Sequence, residues 1–352
     1  QTFLADAGWL DADAAYLQGD ASQRAYARLR HGDGRRAILM DAPRQPDGPA
    51  VRDGLAYSRI AHLAEDVRPF VAIAGRLLRA GLSAPKVLAG DLDRGLVLLE
   101  DLGDGVFGAL VRTGAAARQR ELWTAALDTL VALRTAAPSF VCPLPGGDCQ
   151  TVPRLDRPIL EIETELLPTW YWPHSKGAPI PAQILAAYTA LWSPLIDRLI
   201  AEPPGWMLRD YHSPNLLWLP ERQGHARVGV IDFQDALQGP WAHDVMSLLQ
   251  DARIDVPAGL EQELLDRYCT ALSSRAADFD ATEFREAYAI YGALRATRLL
   301  GLWIRLLRRD DKPQYLQHAP RTWDYLARNL RHPALAGLRL WYDRHFPPAS
   351  RQ

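Results

Sequence analysis

Apolar residues along the first hundred positions recur in short runs punctuated by Gly, Asp and Pro, a strand-and-turn pattern rather than a helical one. AYARLR (25–30) and RAILMDA (36–42) flank the turn HGDGR and read as an antiparallel hairpin. After the Pro- and Gly-rich PRQPDGP, Ile60, Leu63 and Val67 fall at helical spacing. The period restarts at Pro69, a favoured first-turn residue, and runs through Ile73, Leu77 and Leu78 to Gly81. PKVLAGDLDRGLVLLEDL then gives two more strands around DLDRG. These elements predict a small antiparallel sheet with one helix.

Beyond Gly103 the period lengthens to that of helices. Leu122, Ala126, Leu130 and Leu133 share one face, as do Leu185, Tyr188, Leu191, Leu195 and Leu199, and later Phe284, Tyr288, Tyr291, Leu294 and Leu302. NLLWLP-ERQGHA-RVGVIDF is a lone hairpin among them, and residues 136–158 and 173–181 read as Pro-rich loops. The expected fold class is α+β, with a small sheet lobe over residues 1–100 and a larger, mainly helical lobe over 101–352. A length of 352 residues fits two units at roughly 150 residues each.

Composition narrows the function more than the fold. With 48% hydrophobic and 23% charged residues the chain is an ordinary globular protein. Forty Lys and Arg against 42 Asp and Glu give a net charge of -2, no field to gather nucleic acid or an anionic membrane. Any phosphate must therefore be held locally. Cys142, Cys149 and Cys269 are odd in number and form no C-x-x-C, which argues for reduced cytosol over a disulfide framework. The first residues carry acids where a signal peptide needs basic ones, and no run approaches the ~18 apolar residues of a membrane span. A cytoplasmic monomer with no membrane and no nucleic-acid partner is expected.

The segment RDYHSPNLLWLPERQGHARVGVIDFQDA (209–236) carries the chemistry. Asp210 and Asn215 sit on a loop entering one strand, and Asp232 ends the strand that returns. A hairpin reverses the ~3.3 Å per residue of strand travel, so the three side chains converge. Each alone is an ordinary turn or cap residue. Together they suit phosphoryl transfer: Asn215 and Asp232 as hard oxygen ligands for magnesium (Mg2+), Asp210 to orient and deprotonate a hydroxyl.

This segment resembles the catalytic and metal loops of the protein-kinase-like aminoglycoside phosphotransferase superfamily. Within it, GDASQRAYARL (19–29), ILMDAP (38–43), LVLLEDLGD (96–104) and GVIDFQDALQGPWAHDVMSLLQDA (229–252) are similar to the bacterial anomeric kinases of N-acetylmuramate and N-acetylglucosamine, over most of residues 15–255. The resemblance implies a bilobal protein-kinase-like fold and ATP-dependent phosphorylation of the C1 hydroxyl of such an amino sugar in cell-wall recycling. It implies Asp210 as catalytic base, residues 18–24 with Gly19 and Ser22 as the loop over the ATP phosphates, and Glu100 to Leu102 as the hinge that binds adenine. Two other readings stay open: a kinase for another small hydroxyl acceptor such as an aminoglycoside, and a non-catalytic ATP-binding module.

Departures from the kinase pattern motivate the latter. The third strand ends in Met40 where protein kinases place a lysine, and Lys86, Lys176 and Lys312 all lie elsewhere. The helix after Pro69 offers Arg76 and Arg79 but no partner glutamate, and losing both together is self-consistent, since a lone carboxylate would repel phosphate. Arg24 and Arg28 are candidate phosphate cations, or a solvated hairpin edge. Leu208 replaces the usual histidine and Gln234 the usual glycine after Asp-Phe, which makes a large flip of that loop less plausible.

GDGVFG (103–108) spells a dinucleotide motif, but no second parallel strand ending in an acid follows it; residues 118–136 read as helix. LEIETELLPTWYWP (160–173) offers carboxylates and aromatic faces for a sugar, with Glu163 and Trp170 aligned by the resemblance; an amphipathic helix with core aromatics explains it equally. Asp235 is a further candidate to face the acceptor.

Overall fold

The computed structural model describes residues 2–17, 24–136 and 139–351. The chain is α+β and divides into two compact units, residues 1–153 with 208–237, and residues 154–207 with 238–352.

In the first unit an antiparallel sheet runs in the order Asp13–Leu17, Ala25–Arg30, Arg36–Asp41, Leu96–Glu100, Val87–Asp91. The hairpin expected at 25–30 and 36–42 is present with Ala25 opposite Asp41 and Arg30 opposite Arg36. Leu29, Ala37 and Leu98 bury their side chains with Phe3 and Trp9 in one core cluster. The strand Leu96–Glu100 lies between two neighbours, and Val97, Leu98 and Leu99 are all buried, so it reads as a continuous apolar run rather than an alternation. The strand Asp13–Leu17 is mostly exposed and its sequence, DAAYL, carries no apolar alternation to announce it.

The helix expected from Pro69 spans Arg68–Arg79, with Pro69 in its first turn and Phe70, Val71, Ile73 and Leu77 buried. The helical spacing through Leu63 does not survive. The preceding helix stops at Tyr57–Ile60, and His62 takes a left-handed backbone with φ 50°. Tertiary bonds to residues 61–64, described below, override the local period. Another correction falls in 136–158, where Val141–Pro143 and Cys149–Thr151 pair as a short hairpin.

The lone hairpin of the catalytic segment forms as Leu216–Trp218 against Val228–Val230. It belongs to the first unit, although the sequence placed it with the helical lobe beyond residue 100. The reason is backbone contact. Val230 N–H donates to Ser83 O at 2.8 Å, and Trp218 N–H donates to Gly105 O at 2.7 Å. A side chain at Gly105 would place its Cβ 2.6 Å from Trp218 O, so this glycine of the GDGVFG run serves the close approach of two backbones.

The second unit is mainly helical. It contains Arg157–Thr164, Ala182–Ala201, Ala242–Leu249, Ala258–Ser273, the 30-residue Ala281–Asp310, Ala319–Asn329 and Ala336–His345. Residues 173–181 are not wholly loop, because Trp172–Lys176 is helical and stops at left-handed Gly177. Ala182–Ala201, with mean hydropathy 1.3, is by length and composition alone apolar enough to cross a membrane, which the sequence did not anticipate; Arg198 and Asp197 interrupt it near its end.

Gly105→Ala is expected to destabilise the protein by about 1–3 kcal/mol, because neither backbone at this crossing yields easily. Urea denaturation measures it, and an unchanged midpoint would refute the close approach.

Candidate active site

The segment leading to Asp210 is tightly wound. Arg209 adopts φ 73°, Asp210 N–H turns back to Leu208 O at 2.9 Å, and His212 N–H donates to Asp210 O at 3.1 Å. A 3-10 turn over Ser213–Asn215 delivers the chain into the first strand of the hairpin. Tyr211, fully buried, donates its hydroxyl to Ala126 O at 2.8 Å and anchors the loop on the helix Ala116–Thr135.

The two strands then return the chain as expected. Leu216 pairs with Val230, and Ile231 N–H donates to Asn215 O at 3.0 Å. The next residue is Asp232, at φ 60°, an unfavourable conformation for a residue with a Cβ and one that clusters at functional positions. Asn215 Nδ2 donates to Asp232 Oδ2 at 3.2 Å and to Asp210 O at 3.0 Å. Asn215, Asp232 and the Asp210 backbone thus meet directly. Burial pushes the Asp232 carboxyl above its usual range, and the charge of Asp210 pushes it further; Gln234 and Arg24 act in the opposite sense.

A divalent cation fits this donor set. With its NH2 committed to two acceptors, the Asn215 amide keeps Oδ1 for a cation, and Asp232 supplies carboxylate oxygen; both are the hard donors magnesium takes. Asp232 retains 43% of its side-chain exposure, enough for access. Among the described residues no three His, Cys, Asp or Glu side chains converge on a metal position.

Arg24 Nη1 lies 3.6 Å from Asp232 Oδ1 and also interacts with the Tyr26 hydroxyl, whose ionisation burial pushes upward. Tyr26 stands opposite Met40 in the sheet, and Met40 is buried. Met40 therefore packs the core where protein kinases present a lysine, and Arg24 is the described cation beside the acidic loop. Gly19 and Ser22 lie outside the described residues.

Arg28 must be reassigned. Its guanidinium contacts Asp101 at 3.0 and 3.2 Å and Asp104 at 2.8 Å. Arg28 holds the Asp104 carboxyl below its usual range. Asp101 is only 2% exposed, so this arginine neutralises a buried carboxylate at the chain crossing and is not spare for phosphate. The connection it braces contains the expected hinge. Glu100 accepts from Arg222 at 2.7 Å, while the Leu102 N–H and C=O bond to no described residue. A cavity of ≈490 Å3 lies here, lined by Glu100, Asp101, Leu102, Gly103, Trp218 and Arg222 among others.

Asp235 joins the network of the Asp232 loop: its Oδ1 accepts from Ala64 N–H at 2.6 Å and its Oδ2 from Gln234 Nε2 at 3.3 Å. Sequence reasoning missed Arg209 altogether; its position beside Asp210 was the only signal. In the second unit, Glu163 is buried with Arg298 Nη1 3.6 Å from Oε1, and Trp170 is half-buried. Tyr171 and Trp172 belong to an aromatic core with Trp323, Trp341 and Phe346, which supports the bland reading for those two rings.

A catalytic loop and an acid-bearing loop joined by a two-stranded hairpin, in the same unit as a five-stranded antiparallel sheet, make a kinase-type phosphotransferase, and the chain belongs to the phosphotransferase enzyme family, whose model matches residues 13–286. Among its relatives, the N-acetylmuramate/N-acetylglucosamine kinase of Caulobacter vibrioides is 41% identical over 99% of this chain and 96% of that protein. The like-named protein of Pseudomonas aeruginosa is 32% identical over 96% of this chain and 90% of its own. The fold is shared with a putative aminoglycoside phosphotransferase from Ralstonia eutropha, at TM-score 0.56, 14% identity and coverage of 94% and 93%. It is shared also with the gentamicin complex of APH(2'')-IIa, at TM-score 0.56, 13% identity and coverage of 95% and 96%.

Arg28→Ala would leave the buried Asp101 carboxylate only Gly103 N–H at 2.9 Å and Arg36 Nε at 3.9 Å, and a loss of about 1–3 kcal/mol is expected in chemical denaturation. A stability equal to the parent's would restore Arg28 as a candidate for phosphate.

Proposed function

We propose that the protein transfers the γ-phosphoryl group of ATP to the C1 hydroxyl of N-acetylmuramate or N-acetylglucosamine. The observation that carries the catalytic part is the contact of Asn215 with both Asp232 and the Asp210 backbone. The acceptor rests on the printed activity of relatives that align over nearly the whole chain.

Asp210 orients the C1 hydroxyl and receives its proton. A hemiacetal hydroxyl is more acidic than an ordinary alcohol, which lightens that task. Asn215 and Asp232 would hold magnesium, whose charge would offset that of the transferring phosphates. Arg24 stands where the missing strand lysine would otherwise contribute a cation, and Gly19 and Ser22 belong to the loop proposed to cover the phosphates. Glu100 to Leu102 is the proposed adenine hinge, its spare Leu102 backbone groups suited to a purine edge. Glu163 and Trp170 are the proposed acceptor-binding residues of the 160–173 segment, with Asp235 a further candidate. Positioning and electrostatics supply most of the rate in such chemistry. Three free cysteines accord with the proposed cytoplasmic location.

ADP release with each amino sugar and with aminoglycosides tests the acceptor class, and phosphorus NMR of the product separates a 1-phosphate from a 6-phosphate. Asp210→Asn is expected to lower kcat by about 10²–10⁴-fold while leaving the KM for ATP near the parent value. A folded Asp210→Asn protein with parental turnover would remove the proposed base.

A further inference from the structure

Residues 61–64 lie between the short helix Tyr57–Ile60 and the 12-residue helix Arg68–Arg79, yet they bond to residues beside both arms of the catalytic hairpin. Arg209, only 8% exposed, donates from Nη1 to Ala61 O at 2.7 Å, directly before Asp210. At the other arm Ala64 N–H donates to Asp235 Oδ1 at 2.6 Å. Buried Gln234 completes the chain, its Nε2 reaching Asp235 Oδ2 at 3.3 Å and Asp232 Oδ1 at 2.9 Å. Phe233 stacks on Phe70 of the following helix, with ring centroids 4.9 Å apart and planes at 19°, so the residue between Asp232 and Gln234 is also held.

We propose that residues 61–64, with Arg209, Gln234 and Asp235, form a positioning strap that fixes the Asp210 loop against the Asp232 loop. The inference rests on the kinase reading above and adds how its geometry is kept. In protein kinases a strand lysine and a helix glutamate tie the sheet to the phosphate site; here neither is present, Met40 is buried, and the tie runs through backbone groups of a loop instead. Three features follow from it. Asp232 is held at φ 60° because Gln234 and Asn215 each hold one carboxylate oxygen. The helical period through Leu63 is broken because Ala61 O and Ala64 N–H bond to Arg209 and Asp235 instead of continuing a helix. A glutamine after Asp-Phe is explained because its amide donates to two carboxylates at once, which a glycine cannot do.

The strap predicts separate signatures for its two ends. Gln234→Leu keeps an apolar stem of similar size and removes the amide; the magnesium concentration for half-maximal activity should rise about tenfold, with KM for the sugar unchanged. In calorimetry the gain in ADP affinity on adding magnesium should shrink by a similar factor, while metal-free ADP affinity stays at the parent value. Arg209→Met should lower kcat with little change in magnesium dependence. The double variant Gln234→Leu/Asp235→Ala should be no worse in magnesium dependence than Gln234→Leu alone, since Asp235 reaches Asp232 through Gln234. Parental magnesium dependence and metal-linked ADP affinity in folded Gln234→Leu would overturn the strap, as would strictly additive effects in the double variant. Should Asp235→Ala not fold, the Gln234→Leu measurements decide. The kinase reading itself falls on a different result, full turnover by Asp210→Asn.

Discussion

The site depends on a reversal of the backbone so short that chemistry and fold cannot be separated. Two three-residue strands, Leu216–Trp218 and Val228–Val230, and one further bond from Ile231 N–H to Asn215 O bring the amide of Asn215 against the carboxylate of Asp232. Asp232 accepts a backbone conformation that costs on the order of 1–3 kcal/mol for such a residue. Hydrogen bonds from Asn215 and Gln234 offset that strain and hold the carboxylate in place. Without the reversal, two acids and an amide separated by over twenty residues would be ordinary turn residues.

Charge is distributed around this reversal by position, since the net charge of -2 supplies no general attraction for a nucleotide. Burial and Asp210 together disfavour the ionised form of Asp232, an unfavourable field that a bound cation would relieve. Arg24 relieves part of it in the isolated protein. Arg28, which points from the same strand region, is absorbed by Asp101 and Asp104. Two arginines four residues apart therefore do different work, one beside the metal loop and one holding the connection after the sheet.

Much of this was legible in the sequence where the cause is local. The 25–30 and 36–42 hairpin follows from alternation around a Gly/Asp turn, the Pro69 helix from its first-turn proline and apolar stripe, and the meeting of Asn215 with Asp232 from strand rise and reversal. What stayed hidden has tertiary causes. The strand Asp13–Leu17 has an exposed pattern and no alternation. The fate of Leu63 was misread because Ala61 and Ala64 bond to residues 148 and 171 positions away. Arg28 was read as a phosphate cation or a solvated hairpin edge; its partners, Asp101 and Asp104, lie too far along the chain for spacing to reveal. Glycine in GDGVFG looked like a nucleotide motif and is instead the point where two backbones touch.

The central claim is that Asn215 and Asp232 together hold a divalent cation at the nucleotide phosphates. Electron paramagnetic resonance of manganese, titrated into ADP-loaded protein, reads it without requiring turnover. The parent should bind manganese in an ADP-dependent manner, and Asp232→Asn should lose that binding while still taking up ADP in the absence of metal. Undiminished manganese binding in a folded Asp232→Asn protein would contradict the account.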